Sequence, residues 1–377
     1  MPYFDHNATT FLAPEVAEEL TSALREVYGN ASSTHAQGQL AKRQLEQSRR
    51  TIAGALHVPP ADFIFTSGGT ESNNLAILGL LGGLNSGPKH VITSSIEHPS
   101  VLEVFRQLER DGVAVTFLPV DASGVIRAEA VAEALRPETV LVSVMHANNE
   151  TGAVQPIQEI AKLIQGRKIF LHADGVQAFG KLAVDMQALG VDLYSVSAHK
   201  IFGPKGIGGL YVRKGTPLRR TMLGGHHERE RRAGTENVPA AMAFARAVEL
   251  CTEPDCLLRD RFEEKLLGAL PDIKVNGGGE VRLPNTSSVL FPGVSAEALM
   301  IALDLQGMAV STGAACSSGS VEPSHVLLAM GLSRKDARSS VRFSFGRYNT
   351  LDEVDALAEA TIAAAGKPTR TEARVAV

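Results

Sequence analysis

One lysine stands between a histidine and a glycine-rich run in the segment Ser195-Val-Ser-Ala-His-Lys-Ile-Phe-Gly-Pro-Lys-Gly-Ile-Gly-Gly209. A lysine forms a Schiff base with a carbonyl compound, such as pyridoxal phosphate (PLP), when its surroundings lower the pKa of its amino group. Ser197 and His199 could then hold a phosphate beside Lys200. A lone Ser-x-His-Lys sequence is more often a polar turn with a solvated lysine, so the interpretation depends on the rest of the chain.

Two other polar segments follow predicted strands and suit the same chemistry. Ser67-Gly-Gly-Thr70 comes before a predicted helix, so its backbone N–H groups and the hydroxyl of Thr70 could bind a phosphate. Asp174 ends an apolar strand, where a carboxylate needs a cation or a donor, and the protonated ring nitrogen of PLP is such a partner. The alternatives are a tight turn with an N-cap for the first segment and a helix N-cap for Asp174.

Three histidines could carry protons or bind a metal. His98, in Ser-Ile-Glu-His-Pro, could stack on a cofactor ring and transfer protons near neutral pH, although a capped turn residue is the alternative. His226 and His227 are adjacent, and adjacent residues do not form the spaced pair that binds a metal on one helix face. We therefore expect no metal site.

Cys316 lies in a run of small residues, Ser311-Thr-Gly-Ala-Ala-Cys-Ser-Ser-Gly-Ser320, which predicts a flexible loop able to carry a thiolate to a substrate. Cys251 suits a buried structural role, and Cys256 has no supporting motif. Near the end of the chain, Val341-Arg-Phe-Ser-Phe-Gly-Arg347 alternates like a strand and places Arg342 and Ser344 on one face. Arg342 could bind a carboxylate with its planar guanidinium, and a surface ion pair is the alternative.

Short apolar strands alternate with helical segments from residue 63 to residue 196, which predicts an α/β fold with a mostly parallel sheet covered by helices. Helices are predicted before it, from Pro14 to Tyr28 and from Ala36 to Leu56. The polar clusters all follow strands, and ligands bind at the carboxyl ends of parallel strands. We expect a large cofactor-binding domain over residues 14–252 and a smaller α+β domain from residues 1–13 and 253–377. The predicted strands are Phe63–Thr66, His90–Thr93, Val113–Leu118, Val140–Met145, Ile169–His172 and Asp192–Val196.

The composition narrows the classes of function. The chain has 377 residues and a formal net charge of −4, so nothing in it indicates nucleic-acid binding. No apolar run approaches the roughly 20 residues that span a bilayer, and the first residues do not form a signal peptide, so we expect a cytoplasmic protein without a membrane partner. The 3 cysteines are too few for a disulfide framework.

Taken together, these motifs resemble the cysteine desulfurases of the NifS/IscS type, in the class V aminotransferase-like group of fold-type I PLP enzymes. The resemblance extends over nearly the whole chain and follows the same order of motifs. The motifs are Tyr3-Phe-Asp-His-Asn-Ala-Thr-Thr10, Tyr28-Gly-Asn-Ala-Ser-Ser33, Thr66-Ser-Gly-Gly-Thr-Glu-Ser-Asn-Asn74, Glu97-His-Pro-Ser-Val101, Asn148-Asn-Glu-Thr-Gly152, His172-Ala-Asp-Gly-Val-Gln177, Ser195 to Gly209, Arg232-Ala-Gly-Thr-Glu-Asn-Val238 and Gly313-Ala-Ala-Cys-Ser-Ser-Gly319.

The resemblance implies a role for each residue around the cofactor, which would be PLP. Lys200 would form the Schiff base, His98 would stack on the ring, Asp174 would pair with the ring nitrogen and Gln177 would bond to the phenolic oxygen. The phosphate and the rest of the cofactor would be held by Gly69, Thr70, Asn149, Ser197 and His199.

The resemblance also implies partners. In this family a threonine of the partner subunit completes the phosphate site, and Thr235 occupies its position, so a homodimer is expected. Asn149 and Arg342 match the positions that hold the substrate carboxylate, and Cys316 matches the cysteine that receives sulfur. The implied reaction takes sulfur from L-cysteine, leaves L-alanine and passes a persulfide from Cys316 to an acceptor protein, such as an iron–sulfur scaffold.

Two rival functions fit parts of the sequence. A class V aminotransferase, or a selenocysteine or cysteine lyase, would share Lys200 and Asp174 without needing a thiol, and the position of Cys316 argues against it. A PLP-fold scaffold that only binds partners would have lost catalytic groups, and none is missing from this sequence.

Overall fold

A computed structural model describes residues 2–252, 255–313 and 322–366, so Cys316 lies outside the described residues. Fourteen α-helices and ten strands are present in that part of the chain. The helices are α1 Pro14–Glu26, α2 Ala36–Ala55, α3 Gly69–Asn74, α4 Leu80–Gly83, α5 Pro99–Arg110, α6 Ala128–Ala134, α7 Ile157–Ile164, α8 Met186–Leu189, α9 Val238–Glu249, α10 Leu257–Ala269, α11 Ala296–Asp304, α12 His325–Ala329, α13 Arg334–Ala337 and α14 Leu351–Ala365. The strands are β1 Phe63–Thr66, β2 His90–Ser94, β3 Ala114–Leu118, β4 Thr139–Met145, β5 Phe170–Asp174, β6 Leu193–Ser197, β7 Gly208–Val212, β8 Lys274–Val275, β9 Thr286–Leu290 and β10 Ser340–Ser344.

Seven strands form the large sheet in the order β1-β7-β6-β5-β4-β2-β3. The pairs from β6 through β5, β4 and β2 to β3 are parallel, whereas β7 is antiparallel to both β6 and β1. The predicted α/β class and the mostly parallel sheet are therefore confirmed. Each parallel connection returns through a helix, so the carboxyl ends of β2, β4, β5 and β6 meet at one edge, where the polar motifs follow them.

Both faces of the large sheet are covered because successive strand residues point to opposite sides. Phe63 and Phe65 join the core beneath α1, α2 and α9, whereas Ile64 between them joins the core beneath α4 and α5. All four residues of β1 are buried, as expected for a strand enclosed between two helical layers.

Strand β7 is not predicted from the sequence, where Gly208 and Gly209 are typical of a glycine-rich turn. Glycine is a poor strand former, so Gly208 and Gly209 concealed the strand. A β-carbon at Gly209 would lie 2.0 Å from the ring of Phe63, and one at Gly208 would lie 2.5 Å from the carbonyl oxygen of Val196. Close packing against the neighbouring strands therefore explains both glycines.

A second sheet of three strands, in the order β10-β9-β8, has a separate hydrophobic core with α10, α11 and α14. Phe4 from the amino-terminal segment is fully buried in this core. The next residue, Asp5, forms a parallel bridge with Ser344 of β10. The boundaries given above for two domains stay a prediction. No helix in the described ranges is long and apolar enough to cross a membrane.

A buried ion pair joins α2 to the segment that precedes α9. The guanidinium of Arg49 makes two hydrogen bonds to the carboxylate of Glu228, at 2.6 and 2.8 Å, and the same carboxylate accepts the backbone N–H of Phe65 at 2.9 Å. Glu228, Arg229 and Glu230 have φ angles of 45°, 55° and 64°. This left-handed backbone costs free energy in residues other than glycine, so the Arg49 contact must help to hold the segment.

Replacing Arg49 by methionine should lower the free energy of unfolding by about 3–5 kcal/mol, because it leaves the carboxylate of Glu228 buried without its cation. Urea unfolding followed by circular dichroism measures the loss. The double variant Arg49→Met/Glu228→Gln is the control, since it removes the charge as well, and it should recover part of the stability. Equal midpoints for the single and double variants would contradict this account.

Candidate active site

The polar residues at the carboxyl edge of the large sheet surround a cavity of about 400 Å³. The amino-terminal segment contributes Asn7 and Ala8, and the smaller sheet contributes Arg342. Residues far apart in the sequence thus form a single site. Among its other lining residues are Gly69, Thr70, Asn73, His98, Asn149, Asp174, Gln177, His199, Lys200, Ser311 and Gly313.

Lys200 lies in a 3₁₀ turn, Ala198–Lys200, directly after β6. Its Nζ donates hydrogen bonds to the carbonyl oxygens of Asn7 and Ala8, each at 2.6 Å. Burial, with a smaller effect from the positive charge of Arg342, lowers the pKa of Lys200 to about 8 against the opposing effect of Asp5 and Asp174. A pKa near 8 gives an appreciable fraction of neutral, nucleophilic amine at neutral pH.

Asp174, the last residue of β5, is 6% exposed and lines the cavity. Its Oδ2 accepts a hydrogen bond from Nδ2 of Asn73 at 2.7 Å, and its Oδ1 accepts one from the backbone N–H of Val176 at 3.0 Å. The second contact caps a turn, not a helix, so the alternative of a helix N-cap is wrong for Asp174. It does not exclude a ligand, because each carboxylate oxygen can accept more than one hydrogen bond.

His98 caps the amino end of α5, in which Pro99 is the first residue. Its Nδ1 accepts the backbone N–H of Ser100 at 3.1 Å, while the ring lines the cavity. Burial lowers the pKa of His98, so the neutral ring is favoured. The capped-turn alternative is therefore correct as local structure, and it fixes the ring at the cavity wall.

Glu97 precedes His98 in the chain and has no predicted role of its own. It is fully buried, and its Oε1 accepts the backbone N–H of Met145 at 2.9 Å. Burial raises the pKa of Glu97 to about 8. At neutral pH this carboxyl is mostly protonated, so it links the ends of β2 and β4 without adding a full negative charge beside Asp174.

A second, smaller cavity of about 300 Å³ adjoins the first and is lined by Gly69, Thr70, Ser197 and His199, among others. The Ser197 Oγ is buried and has no hydrogen-bond partner among the described residues. A buried hydroxyl without a partner costs free energy unless a ligand or water satisfies it. The cavity therefore has the donor that a phosphate oxygen would need.

The glycines that line the smaller cavity let the backbone lie close to the interior of that cavity. A β-carbon at Gly69 would lie 2.7 Å from Cγ2 of Val176, and Gly68 has a φ of 149°, which favours glycine. His199 holds its Nδ1 at 3.0 Å from Oγ1 of Thr9, and burial together with the charge of Lys200 lowers its pKa to about 4. A neutral His199 can still donate one hydrogen bond to a phosphate.

Arg342, in β10, is almost completely buried. It does form an ion pair, but the pair is not at the surface, so the alternative of a surface ion pair is wrong. Its Nη2 lies 2.6 Å from Oδ1 of Asp5, and its Nη1 donates to the carbonyl oxygen of Asn149 at 2.9 Å. The buried Nε has no partner in the described ranges. Asn149 thus meets Arg342 through its backbone, and both residues line the cavity.

Gln177 is held between two residues on the floor of the cavity. Its Nε2 donates to the carbonyl oxygen of Asn7 at 2.9 Å, and its Oε1 accepts a hydrogen bond from Nζ of Lys181 at 2.7 Å. Neither Lys181 nor Asn7 is predicted as a functional residue from the sequence. A lysine four positions after Gln177 was the available signal.

Two residues assigned from the sequence are not brought into the cavities. Thr235 is exposed and is absent from the residues that line either of them. Cys316 lies outside the described residues, as does most of the loop predicted to carry it. Of the last three described residues before it, Ser311 and Gly313 line the larger cavity.

The model of the aminotransferase class-V family matches residues 2–357. A relative named "Cysteine desulfurase IscS", from Dictyoglomus turgidum, is 44% identical over 360 residues, which covers 94% of this chain and 91% of the relative. Among solved structures, a "NIFS-like protein" superposes with a TM-score of 0.89 at 36% identity and covers 96% of this chain and 98% of its own. A structure titled "SspA in complex with cysteine" superposes with a TM-score of 0.85 at 36% identity and covers 93% of this chain and 100% of its own.

In the cofactor-free protein, an amine-modifying reagent should react with Lys200 at a rate that is half-maximal near pH 8. The reason is that only the neutral amine reacts and burial favours it. Peptide mass spectrometry after brief labelling at a series of pH values measures the rate at this residue. In urea-unfolded protein the midpoint should move to about 10.4, the ordinary lysine pKa. The same midpoint in folded and unfolded protein would refute the lowered pKa.

Proposed function

Because the chain belongs to the aminotransferase class-V family, we propose that it is a cysteine desulfurase that takes sulfur from L-cysteine and releases L-alanine. The observation that carries this proposal is the single cavity that joins the amine of Lys200, the carboxylate of Asp174 and the guanidinium of Arg342. The similarity of 44% over nearly the whole chain to a relative named as a desulfurase supports the same reaction.

PLP is the proposed cofactor, and the described residues fit it. Gly69, Thr70, Ser197 and His199 would hold its phosphate in the smaller cavity, where the hydroxyl of Ser197 lacks a partner among the described residues. Asp174 would face the ring nitrogen, and His98 would lie against the ring. When bound, PLP withdraws electrons from the Cα of an amino acid, which makes the Cα proton acidic.

The substrate would be held by its carboxylate. Arg342 offers a guanidinium that is fixed by Asp5 and by the backbone of Asn149, with Nε still available. Lys200, with its pKa near 8, is suited to remove the Cα proton and return a proton later in the cycle. The neutral ring of His98, which lines the same cavity, is also suited to transfer protons.

Cys316 would take the sulfur atom from the substrate. The thiolate of Cys316 attacks the substrate sulfur, the bond between that sulfur and Cβ breaks, and Cβ takes up a proton to become the methyl group of alanine. No external oxidant is needed, because the electron pair of the broken bond stays on carbon, so the oxidation that forms the S–S bond is balanced by the reduction of Cβ to a methyl group. An acceptor protein, such as an iron–sulfur scaffold, would then take the sulfur from Cys316.

L-Cysteine added to the PLP-loaded protein without reductant should add one sulfur to Cys316, and L-alanine should appear in the medium. Intact and peptide mass spectrometry detect the added sulfur, and amino-acid analysis detects the alanine. The Lys200→Ala variant should produce neither, because it lacks the base that removes the Cα proton.

The Cys316→Ala variant separates this proposal from its main rival. A desulfurase should lose sulfur transfer in that variant, whereas a lyase should turn over cysteine undiminished. Accumulation of alanine or pyruvate while Cys316 of the unmutated protein stays unmodified would favour the lyase. A purified protein that takes up no PLP would favour a scaffold without enzymatic activity.

A homodimer is proposed as the working form, with Thr235 of each subunit completing the phosphate site of its partner. The exposed position of Thr235, away from both cavities of its own chain, supports this arrangement. The Arg49–Glu228 pair would hold the segment that leads to Thr235 in place.

A mixed dimer of one Lys200→Ala subunit and one Thr235→Ala subunit tests the arrangement. If Thr235 acts across the interface, one site of this dimer has both native residues and should bind PLP with native affinity. The Thr235→Ala homodimer is the control, and it should bind PLP about tenfold more weakly because it lacks one hydrogen bond to the phosphate. A monomeric mass at working concentration, or weak binding by the mixed dimer, would contradict the proposal.

A further inference from the structure

We propose that Lys181 is a positioning residue that fixes the side-chain amide of Gln177 and the backbone of Asn7 for the cofactor. The inference rests on the proposed function, since Gln177 and Lys200 are the groups that would contact PLP. Lys181 does not line the larger cavity itself and would not contact PLP there. Its effect would pass through the two residues to which it donates hydrogen bonds.

The contacts of Lys181 join two parts of the chain. Its Nζ lies 2.7 Å from Oε1 of Gln177 and 2.9 Å from Oδ1 of Asn7. Gln177 follows β5 in the large sheet, whereas Asn7 belongs to the amino-terminal segment that reaches the smaller sheet. Lys181 therefore connects both sides of the cavity from behind Gln177.

The amino group of Lys181 determines whether the oxygen or the nitrogen of the Gln177 side-chain amide faces Lys181. The two ends of a glutamine amide have similar shapes but opposite hydrogen-bonding roles, so their orientation depends on the neighbours. Lys181 is a donor and requires the oxygen, and the carbonyl of Asn7 requires the nitrogen. The second N–H of Gln177 then has no acceptor among the described residues, and it can donate to the phenolic oxygen of PLP.

Asn7 is the second residue through which Lys181 would act. The backbone carbonyl of Asn7 accepts both Nε2 of Gln177, at 2.9 Å, and Nζ of Lys200, at 2.6 Å. Its side-chain oxygen accepts Lys181, and its Nδ2 donates to Oγ1 of Thr286 at 2.8 Å. Loss of Lys181 would loosen Asn7, and with it the group that holds the amine of Lys200.

The proposed role does not require a charge on Lys181. Burial, together with the positive charges of Lys200 and Arg342, lowers its pKa well below the usual lysine value. A neutral amine still has two N–H bonds, which is enough for its two acceptors. The role is therefore one of hydrogen-bond direction.

The test compares Lys181→Met with Lys181→Gln. Methionine has a similar length but no donor, whereas glutamine keeps a donor. We expect Lys181→Met to bind PLP about tenfold more weakly, as for one lost oriented hydrogen bond, and to shift the visible absorption band of the bound cofactor. Lys181→Gln should restore part of the affinity and of the band position.

The double variant Lys181→Met/Gln177→Leu identifies the path of the effect. If Lys181 acts largely through Gln177, Lys181→Met should change PLP affinity and the absorption band much less in the Gln177→Leu background than in the native one. An equal change in both backgrounds would overturn the role assigned to Gln177, and native affinity and absorption in Lys181→Met would overturn the whole inference.

Four cofactor-free proteins test the contact between Lys181 and Gln177 independently of PLP: the native protein, Lys181→Met, Gln177→Leu and the double variant. Their urea unfolding midpoints should be non-additive, because one hydrogen bond is lost by either substitution. Additive midpoints would also overturn the inference. A native protein that binds no PLP would refute the proposed function, while the midpoints of the cofactor-free proteins would still decide whether Lys181 and Gln177 are coupled.

Discussion

The active site depends on how one buried amine is held. Nζ of Lys200 donates to two backbone carbonyls of the amino-terminal segment, and Arg342 lies close enough to lower its pKa. A carboxylate partner would neutralise the charge of the lysine. Backbone carbonyls orient its amino group without doing so. Burial and a nearby cation then favour the neutral amine, which is the reactive form.

The amino-terminal segment therefore has a structural role that its length does not suggest. Phe4 is buried in the core of the smaller sheet, and Asp5 pairs with Arg342. Asn7 then reaches the end of the large sheet, where it bonds to Gln177, Lys181 and Lys200. A few residues thus connect the elements that surround the cavity.

The charges of the site are arranged in opposing groups. Lys200 and the Arg342–Asp5 pair lie on the side of the amino-terminal segment, while Asp174 lies at the end of β5 with two hydrogen-bond donors. Burial keeps Glu97 largely protonated and His98 neutral, so these two add little charge. A ligand with an anionic phosphate, an anionic carboxylate and a cationic ring nitrogen would complement this arrangement.

The sequence by itself determined the alternation of strands and helices that builds the large sheet, apart from β7, and the polar residues at the carboxyl edge of that sheet. Hydrophobic periodicity and the residues that follow each strand are local signals, so Asp174, His98 and Lys200 could be assigned to one edge. Only the tertiary structure decided that Asp5 neutralises Arg342, 337 positions away, and that Asn7 and Lys181 hold Gln177. It also decided that Gly208 and Gly209 belong to a strand, because their role is to make room for Phe63 and Val196. Contacts between distant segments leave no periodic pattern in either segment, since each residue is chosen for a partner that the chain brings near only when it folds.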